Sequence, residues 1–139
     1  EKKIRAWYRG VGHRLFNSSL LDVVNTVVIT EGLVDSILLN QFGIPSVSTT
    51  GGSVWHREWF YAFINQKRIY YVEDNDEAGR IASRRVASNL GQYRVKILRF
   101  DGYKDKYDTV DFCRDGNTLD KFKDLLYNHS KYTFELERS

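Results

Sequence analysis

Short apolar runs that alternate with helical patterns constrain the fold of this chain more than any other feature of its sequence. Strand-like runs lie at residues 26–30, 44–48, 68–72 and 94–100, and segments with helical spacing of apolar residues separate them. Such alternation is typical of βαβ units, in which helices connect parallel strands. The sequence therefore predicts an α/β domain whose mostly parallel sheet of four to five strands is flanked by helices.

The predicted helices differ in the regularity of their apolar faces. The helix at 77–90 has the clearest stripe, and Gly91 is placed to end it. An aromatic-rich helix is predicted at 54–65 and a final helix near 119–127. The helix after the first strand is predicted to have one apolar face, formed by Val34, Ile37, Leu38 and Phe42. Its polar residues Asp35, Ser36 and Asn40 are predicted to lie off that face.

Acidic residues follow two of the predicted strands at the point where each strand ends. Glu31 follows the run at 26–30, and Asp74 and Asp76 follow the run at 68–72. Residues at the carboxyl ends of parallel strands converge on one crevice, so we expect these three carboxylates to repel one another there. Mg²⁺ binds one or two carboxylates together with substrate phosphate oxygens. The sequence therefore predicts a metal site for phosphate chemistry.

Asp76 also has a simpler interpretation, because it precedes the predicted helix at 77–90 and aspartate is a common N-cap residue. Asp74 and Asp76 are two residues apart, so in extended backbone both side chains leave the same face. They are then placed to hold one cation, or to bridge two cations about 3.5–4 Å apart. The occurrence of Glu31 after a second strand favours the metal site over an isolated cap.

Two further groups of residues near the same crevice are candidates for phosphate or nucleic-acid binding. Gly51 and Gly52 lie in a loop before a helix, where backbone N–H groups can bind an anion, although a plain connecting loop has the same composition. Arg80 and Arg84 share a helix face near the acids. They are placed to contact a triphosphate or the template backbone, or simply to form a solvated helix face.

Three more acids are candidates for a supporting role around the metal. Asp35 lies one helical turn after Glu31. Asp108 and Asp111 lie in the acid-rich segment after the last strand. These two acids either extend the metal shell or form a polar loop and cap the next helix.

The net charge of +3 belongs entirely to residues 1–25, where five basic residues stand against two acidic ones. Aromatic residues are interleaved with these charges. Basic groups screen phosphates and aromatic faces stack on bases, so this segment is a candidate nucleic-acid surface, or else an edge strand whose aromatics pack inward. The residues concerned are Lys2, Lys3, Arg5, Arg9, Arg14, Trp7, Tyr8 and Phe16.

Several classes of protein are excluded by what the sequence lacks. With Cys113 as its single cysteine, the chain has no disulfide framework and no Cys-rich zinc site. No apolar run approaches the ~20 residues of a membrane span, and there is no signal-peptide pattern. We expect one domain in a cytoplasmic protein with no membrane partner. Because the sequence does not begin with Met, we also expect it to be a piece of a longer protein.

The acidic and glycine-rich motifs together resemble the toprim domain, which has a Rossmann-like fold. This domain is shared by bacterial-type DNA primases, type IA and II topoisomerases, small nucleases and recombination proteins of the RecR kind. The residues that carry the resemblance are Glu31-Gly32-x-x-Asp35, Gly51-Gly52, and Asp74-Asn75-Asp76-Glu77-Ala78-Gly79-Arg80.

The form Asp-x-Asp-x-Ala-Gly-Arg is most similar to primases, including phage and plasmid primase–helicases. The stretch at 106–112 is similar to the Lys-Asp-x-x-Asp-Tyr/Phe element of those primases, with the lysine one place early here. Leu15-Phe16-Asn17 resembles the short segment that leads into a primase toprim core. The resemblance covers about residues 13–128.

The resemblance implies that Glu31, Asp74 and Asp76 bind catalytic Mg²⁺ or Mn²⁺, with Glu31 also placed to act as a general base. It implies nucleotidyl transfer that makes RNA primers from nucleoside triphosphates on a single-stranded DNA template. A replicative helicase, fused or separate, is the expected protein partner. A metal-dependent toprim nuclease or topoisomerase fragment is the alternative enzyme, and a non-catalytic nucleic-acid-binding module is the alternative outside enzymes.

The resemblance also divides the chain. Residues 1–25 are expected to come from the adjoining primase subdomain, residues 26–128 to form the toprim domain and residues 129–139 to form a C-terminal tail. We expect the fragment alone to be inactive or nearly so, because primases need template-binding surface outside this domain.

Overall fold

Four parallel strands form the centre of the molecule. The structure is a computed structural model that describes residues 15–50 and 54–138. The strands are β1 (Thr26–Thr30), β2 (Ser46–Ser48), β3 (Arg68–Glu73) and β4 (Val95–Arg99), in the spatial order β2-β1-β3-β4. All three neighbouring pairs are parallel. The predicted α/β class and the parallel four-stranded sheet are confirmed.

The helices lie on both faces of this sheet, as crossover connections between parallel strands require. One face of the sheet packs against the long helix that follows β3, and the other face packs against helices before and after it in the chain. The helices are α1 (Leu33–Gln41), α2 (Glu77–Leu90), α3 (Thr109–Arg114), α4 (Leu119–His129) and α5 (Thr133–Glu137), with 3₁₀ helices at Ser18–Asp22 and Arg57–Phe63.

Alternate residues of each strand point into two separate hydrophobic cores. Val27 and Ile29 of β1 pack with α2, whereas Val28 packs with α1 and α4. The same alternation runs along β4, where Ile97 and Leu98 enter opposite cores. Because both faces of the sheet are covered, the central strands β1 and β3 contain continuous apolar runs and do not alternate between polar and apolar residues.

The predicted orientation of α1 is wrong. Val34 is 64% exposed, and Ile37 and Phe42 are also exposed, whereas the polar residues Asp35 and Ser36 are buried. Leu39 is the apolar residue of this helix that enters the core. The face of α1 that the sequence pattern assigned to solvent therefore packs against the rest of the domain.

Hydrogen bonds to neighbouring elements explain why the polar face of α1 is buried. The carboxylate of Asp35 accepts a bond from the Val110 backbone N–H of α3 at 3.2 Å. The Ser36 hydroxyl donates to the Ser46 hydroxyl of β2 at 2.9 Å. Asn40 donates to the Ser46 carbonyl and accepts from its N–H. A buried polar group is tolerated when it is bonded in this way.

Three regions differ from the predicted secondary structure. The aromatic-rich helix expected at 54–65 is a 3₁₀ helix at Arg57–Phe63, and α3 lies within the expected loop after β4. Residues after α4 continue along β4, where Lys131 and Ile97 exchange backbone hydrogen bonds. Leu136 of α5 then packs on the core of the α2 face.

Within the described part of the chain, no helix combines the length and the apolar composition that crossing a membrane requires.

Candidate metal site at the carboxyl ends of the strands

Glu31 and Asp74 meet at the carboxyl edge of the sheet. Glu31 directly follows β1, and Asp74 directly follows β3, the neighbouring parallel strand in which Val72 pairs with Thr30. The two side chains form a hydrogen bond with each other. Because ionised carboxylates only accept hydrogen bonds, this bond forms only when one member of the pair carries a proton.

The surroundings of this pair favour the protonated form. Burial raises the pKa of Asp74 to about 8, and the negative charges of Glu31 and Asp35 add to the effect. Burial also raises the pKa of Glu31, against the opposing effect of its hydrogen bond with Asp74, and the charge of Asp76 raises it further. Both carboxyl groups therefore release their protons at a higher pH than an exposed carboxyl group does.

Asp76 is the N-cap residue of α2. Its Oδ1 atom accepts a 2.6 Å hydrogen bond from the backbone N–H of Gly79, in the first turn of the helix. Its own N–H donates to the Asp74 carbonyl at 2.8 Å. The capping role weighed from the sequence is thus present, while the charge of this carboxylate still acts on Glu31.

Gly79 allows α2 to begin against the backbone of Asp74. A Cβ atom on Gly79 would lie 2.1 Å from the Asp74 carbonyl oxygen, which is far inside van der Waals contact. Any other residue would push the helix away from the end of β3. The close approach therefore holds Asp74 and the cap at Asp76 in one tight turn.

Asp35 lies in a second acidic layer next to this pair. It is only 5% exposed, and burial followed by the charge of Asp108 raises its pKa to about 7. Asp108 and Asp111 form a reciprocal capping box at the start of α3. Burial also raises the pKa of Asp108, and its charge contributes to the raised pKa of Asp74.

Asn75 joins the two acidic segments, a role that the sequence analysis missed. Its side-chain amide donates to the carbonyls of Tyr103 and Lys104 at 2.8 and 2.9 Å. Its backbone N–H donates to Tyr107, and its carbonyl accepts from Lys106. The loop that leads to Asp108 and Asp111 is therefore fastened to the turn between Asp74 and Asp76.

Glu73 was also missed, although it directly precedes Asp74. It is fully buried and accepts hydrogen bonds from Arg99 of β4 and from the Ser83 hydroxyl of α2. Glu73 and Arg99 are direct cross-strand partners. Opposite charges at the ends of two adjacent strands were the available signal, but their register is visible only once the sheet is assembled.

Two of the candidate phosphate-binding residues, Arg80 and Arg84, lie on α2, which begins at this edge. The Arg80 guanidinium donates to Asn75 Oδ1 at 3.4 Å, and Arg84 lies 4.0 Å from Glu77. Gly51 and Gly52 lie outside the described residues. The chain enters their loop beside the acids, where Ser48 donates its hydroxyl to the Glu31 carbonyl.

The chemistry of these side chains fits a hard divalent cation, since carboxylate oxygens are the donors that Mg²⁺ prefers. Within residues 15–50 and 54–138, no three His, Cys, Asp or Glu side chains are already arranged to coordinate an ion. Oδ1 of Asp76 faces the Gly79 N–H, so this oxygen is already engaged as a hydrogen-bond acceptor.

Comparison with known sequences finds one family and one curated relative. The sequence model of the family described as Toprim-like matches residues 28–110, more than half of the chain. The Gene 57 protein of Mycobacterium phage D29 is 30% identical over 83 residues, which cover 59% of this chain and 55% of that protein. The chain thus spans about half the length of the curated relative that it matches.

Solved structures with the same fold include primase catalytic cores. The DnaG catalytic core has a TM-score of 0.68 at 20% identity, covering 87% of this chain and 41% of that chain. The DnaG primase catalytic domain bound to ssDNA has a TM-score of 0.66 at 19% identity, covering 87% and 41%. The primase fragment of the bacteriophage T7 primase–helicase protein has a TM-score of 0.65 at 24% identity, covering 81% and 48%.

Proposed function

The chain belongs to the Toprim-like family, and we propose that it is the catalytic toprim domain of a DNA primase. The observation that carries the proposal is the meeting of Glu31 and Asp74 at the ends of two paired strands, with Asp76 at the start of the next helix, in a fold that matches primase catalytic cores. Clustered acids with strongly raised pKa values are typical of functional sites.

The proposed reaction is nucleotidyl transfer, in which a primer 3′-hydroxyl attacks an α-phosphate and pyrophosphate leaves. Glu31, Asp74 and Asp76 would hold Mg²⁺ or Mn²⁺, which supplies positive charge to offset the charge that develops on the phosphate oxygens. The Glu31 carboxylate is also placed to accept the proton of the attacking hydroxyl. Asp35 and Asp108 act through their charge, which adds to the effect of burial on the pKa of Asp74, and the charge of Asp111 adds to the raised pKa of Asp35.

The proposed partners are a single-stranded DNA template, nucleoside triphosphates and a replicative helicase, either fused or separate. One structural neighbour is a DnaG primase domain bound to ssDNA, and another comes from a primase–helicase. In this chain Arg80 contacts Asn75 in the turn between the acids, and Arg84 lies one helical turn further along α2. Together with Gly51 and Gly52, which the sequence analysis named, they are kept as candidates. They are the proposed contacts for triphosphate or template phosphates.

Primer synthesis by the parent protein tests this function. The protein is incubated with single-stranded DNA, labelled ribonucleotides and Mg²⁺, and the products are separated by size. We expect short labelled oligoribonucleotides, which Asp74→Asn and Glu31→Gln abolish. Asp124→Asn is the matched control, because it removes one carboxylate from an exposed position of α4.

The same assay separates the two alternatives. Cleavage of the DNA strand without primer synthesis would identify a toprim nuclease or topoisomerase fragment and overturn the primase proposal. Binding of DNA with neither product would identify a non-catalytic module.

A further inference from the structure

A basic pocket lies at the amino ends of β3 and β4, the opposite end of the sheet from the acids. It occupies about 190 Å³. The strand β3 carries Arg68 at one end and Glu73 at the other, and strand residues rise by about 3.3 Å each, so Arg68 lies roughly 20 Å from the turn at Asp74. The side chains that line it include Lys67, Arg68, Arg94, Lys96, Tyr93 and Tyr132.

The pocket carries strong positive charge. Four of its lining residues are cations, and no acid lines it within the described part of the chain. Lys67, Arg68 and Lys96 make no ion pair with any described residue. The nearby acid Glu135 turns back to its own helix, where it accepts from the Tyr132 N–H at 2.9 Å. An anion is therefore the ligand that this pocket favours.

Arg94 gives the pocket a fixed charge. Its guanidinium donates to the backbone carbonyls of Leu90, Phe63 and Gln66 at 3.1, 2.6 and 3.0 Å. These neutral partners hold the side chain in place without cancelling its charge. The field of Arg94 thus acts on the pocket even though its guanidinium donates these three hydrogen bonds elsewhere.

Aromatic rings border the same pocket. Tyr93 is 72% exposed and lies 5.5 Å from Phe134, ring centre to ring centre. Phe134 in turn stacks on Tyr132 at 5.3 Å with nearly parallel planes, and the Lys96 ammonium lies 5.1 Å from the Tyr132 ring. Exposed aromatic faces beside cations are the usual surface for single-stranded nucleic acid, since phosphates pair with the cations and bases stack on the rings.

We propose that this pocket and its aromatic border bind a segment of single-stranded nucleic acid at a second site, remote from the acids. The pocket is smaller than the roughly 300–1,000 Å³ of sites that enclose a whole small molecule, so it takes a phosphodiester group. An adjacent base stacks on Tyr93. A strand held here does not depend on the metal site, so the proposal stands apart from the proposed catalytic function.

Titration of labelled oligo-dT by fluorescence anisotropy tests the second site. The full chain is used in EDTA, which removes any contribution from a metal. We expect Lys67→Glu combined with Lys96→Glu to weaken binding at least tenfold. Each lost phosphate contact should also lower the slope of log K against log salt by about 0.7.

Lys121→Glu is the matched control for charge. It makes the same charge reversal per site on α4, outside the pocket, and the new glutamate would complete a capping box with Thr118. If Lys121→Glu weakens binding as much per reversed charge as the pocket variants do, the proposed site is wrong.

Stacking is tested separately at Tyr93, whose exposure makes substitution harmless to the fold. Tyr93→Ala should weaken binding about fivefold or more, whereas Tyr93→Phe should retain it, because both tyrosine and phenylalanine present a ring face. Equal affinities for Tyr93→Ala and the wild type would contradict the proposed base contact. Displacement of oligo-dT by polyglutamate at equal charge concentration would show that the ligand is an acidic peptide and overturn the nucleic-acid assignment.

Discussion

The Arg99 guanidinium lies 2.6 Å from the carboxylate of Glu73, so the last residue of β3 is a buried but neutralised charge. The next residue, Asp74, lies beside other acids and has a strongly raised pKa. Two consecutive carboxylates thus have opposite electrostatic surroundings. The first is fixed by a cation from the neighbouring strand, and it holds in place the backbone from which the second extends.

Removal of the cation should therefore be costly. Arg99→Ala leaves the Glu73 charge buried and unpaired, which we expect to lower the free energy of unfolding by about 3–5 kcal/mol in urea titrations. The double variant Glu73→Leu/Arg99→Leu removes both charges and should be more stable than Arg99→Ala. A double variant at least as unstable as Arg99→Ala would show that packing, and not the unpaired charge, governs the loss.

Mg²⁺ should raise the melting temperature of the chain. Asp74→Asn and Asp76→Asn should each remove most of this gain, because each exchanges a charged oxygen ligand for an amide. Asparagine is as good an N-cap as aspartate, so Asp76→Asn keeps the start of α2 intact. Thermal melts with Mg²⁺ and with EDTA measure the effect, with Asp124→Asn as control. An equal response in all four proteins would contradict the metal site.

Without metal, stability should fall as the pH rises. Burial and neighbouring charge raise the pKa of Asp35 to about 7 and that of Asp74 to about 8, well above the ordinary value near 3.9. Between about pH 3.9 and these raised values, the native state binds protons that the unfolded chain has released. Raising the pH through this range therefore favours unfolding.

Urea titrations in EDTA at pH 5 and pH 8.5 measure this loss of folding free energy, which we expect to be on the order of several kcal/mol. Asp74→Asn and Asp35→Asn should each flatten the dependence, since an amide does not titrate in this range. A wild-type stability that rises between pH 5 and pH 8.5 would contradict the raised pKa values of Asp35 and Asp74.

Gly79→Ala should destabilise the domain although it lies in a helix. Alanine in place of glycine ordinarily stabilises a helix by about 1 kcal/mol. Here the new Cβ would lie 2.1 Å from the Asp74 carbonyl oxygen, so the start of α2 must move. We expect a loss of about 2 kcal/mol or more in urea titrations, with a weaker Mg²⁺ response. Ser88→Ala, at an exposed position of the same helix, should have almost no effect.

Local sequence patterns predicted the central strands β1 and β3 well because each contains a continuous apolar run whose residues are buried. The bounds of β1 and α2 agree with the predicted ones at every residue. The family resemblance is also confirmed by the Toprim-like match. The strand positions and the family resemblance both depend on patterns that lie within short stretches of the sequence.

Partners distant in sequence decided what the patterns could not. Asp35 and Ser36 are buried because α3 and β2 supply their hydrogen-bond partners, and no spacing rule within α1 contains those partners. The pairing of Glu73 with Arg99 likewise depends on the register of β4. The metal-binding roles of Glu31, Asp74 and Asp76 stay a prediction.

The pairing of β1 with β3 determines when Glu31 and Asp74 come together during folding. Val28 of β1 pairs with Tyr70 of β3, and the whole of α1 and β2 lies between them in the sequence. Closing this long loop costs entropy before any contact repays it, so such pairings form slowly. During synthesis Glu31 leaves the ribosome well before Asp74. The Glu31 carboxylate therefore cannot meet the Asp74 carboxylate until β3 docks beside β1. Glu31 and Asp74 therefore come together only when β1 pairs with β3. A partly folded chain that lacks this pairing lacks the acidic site as well.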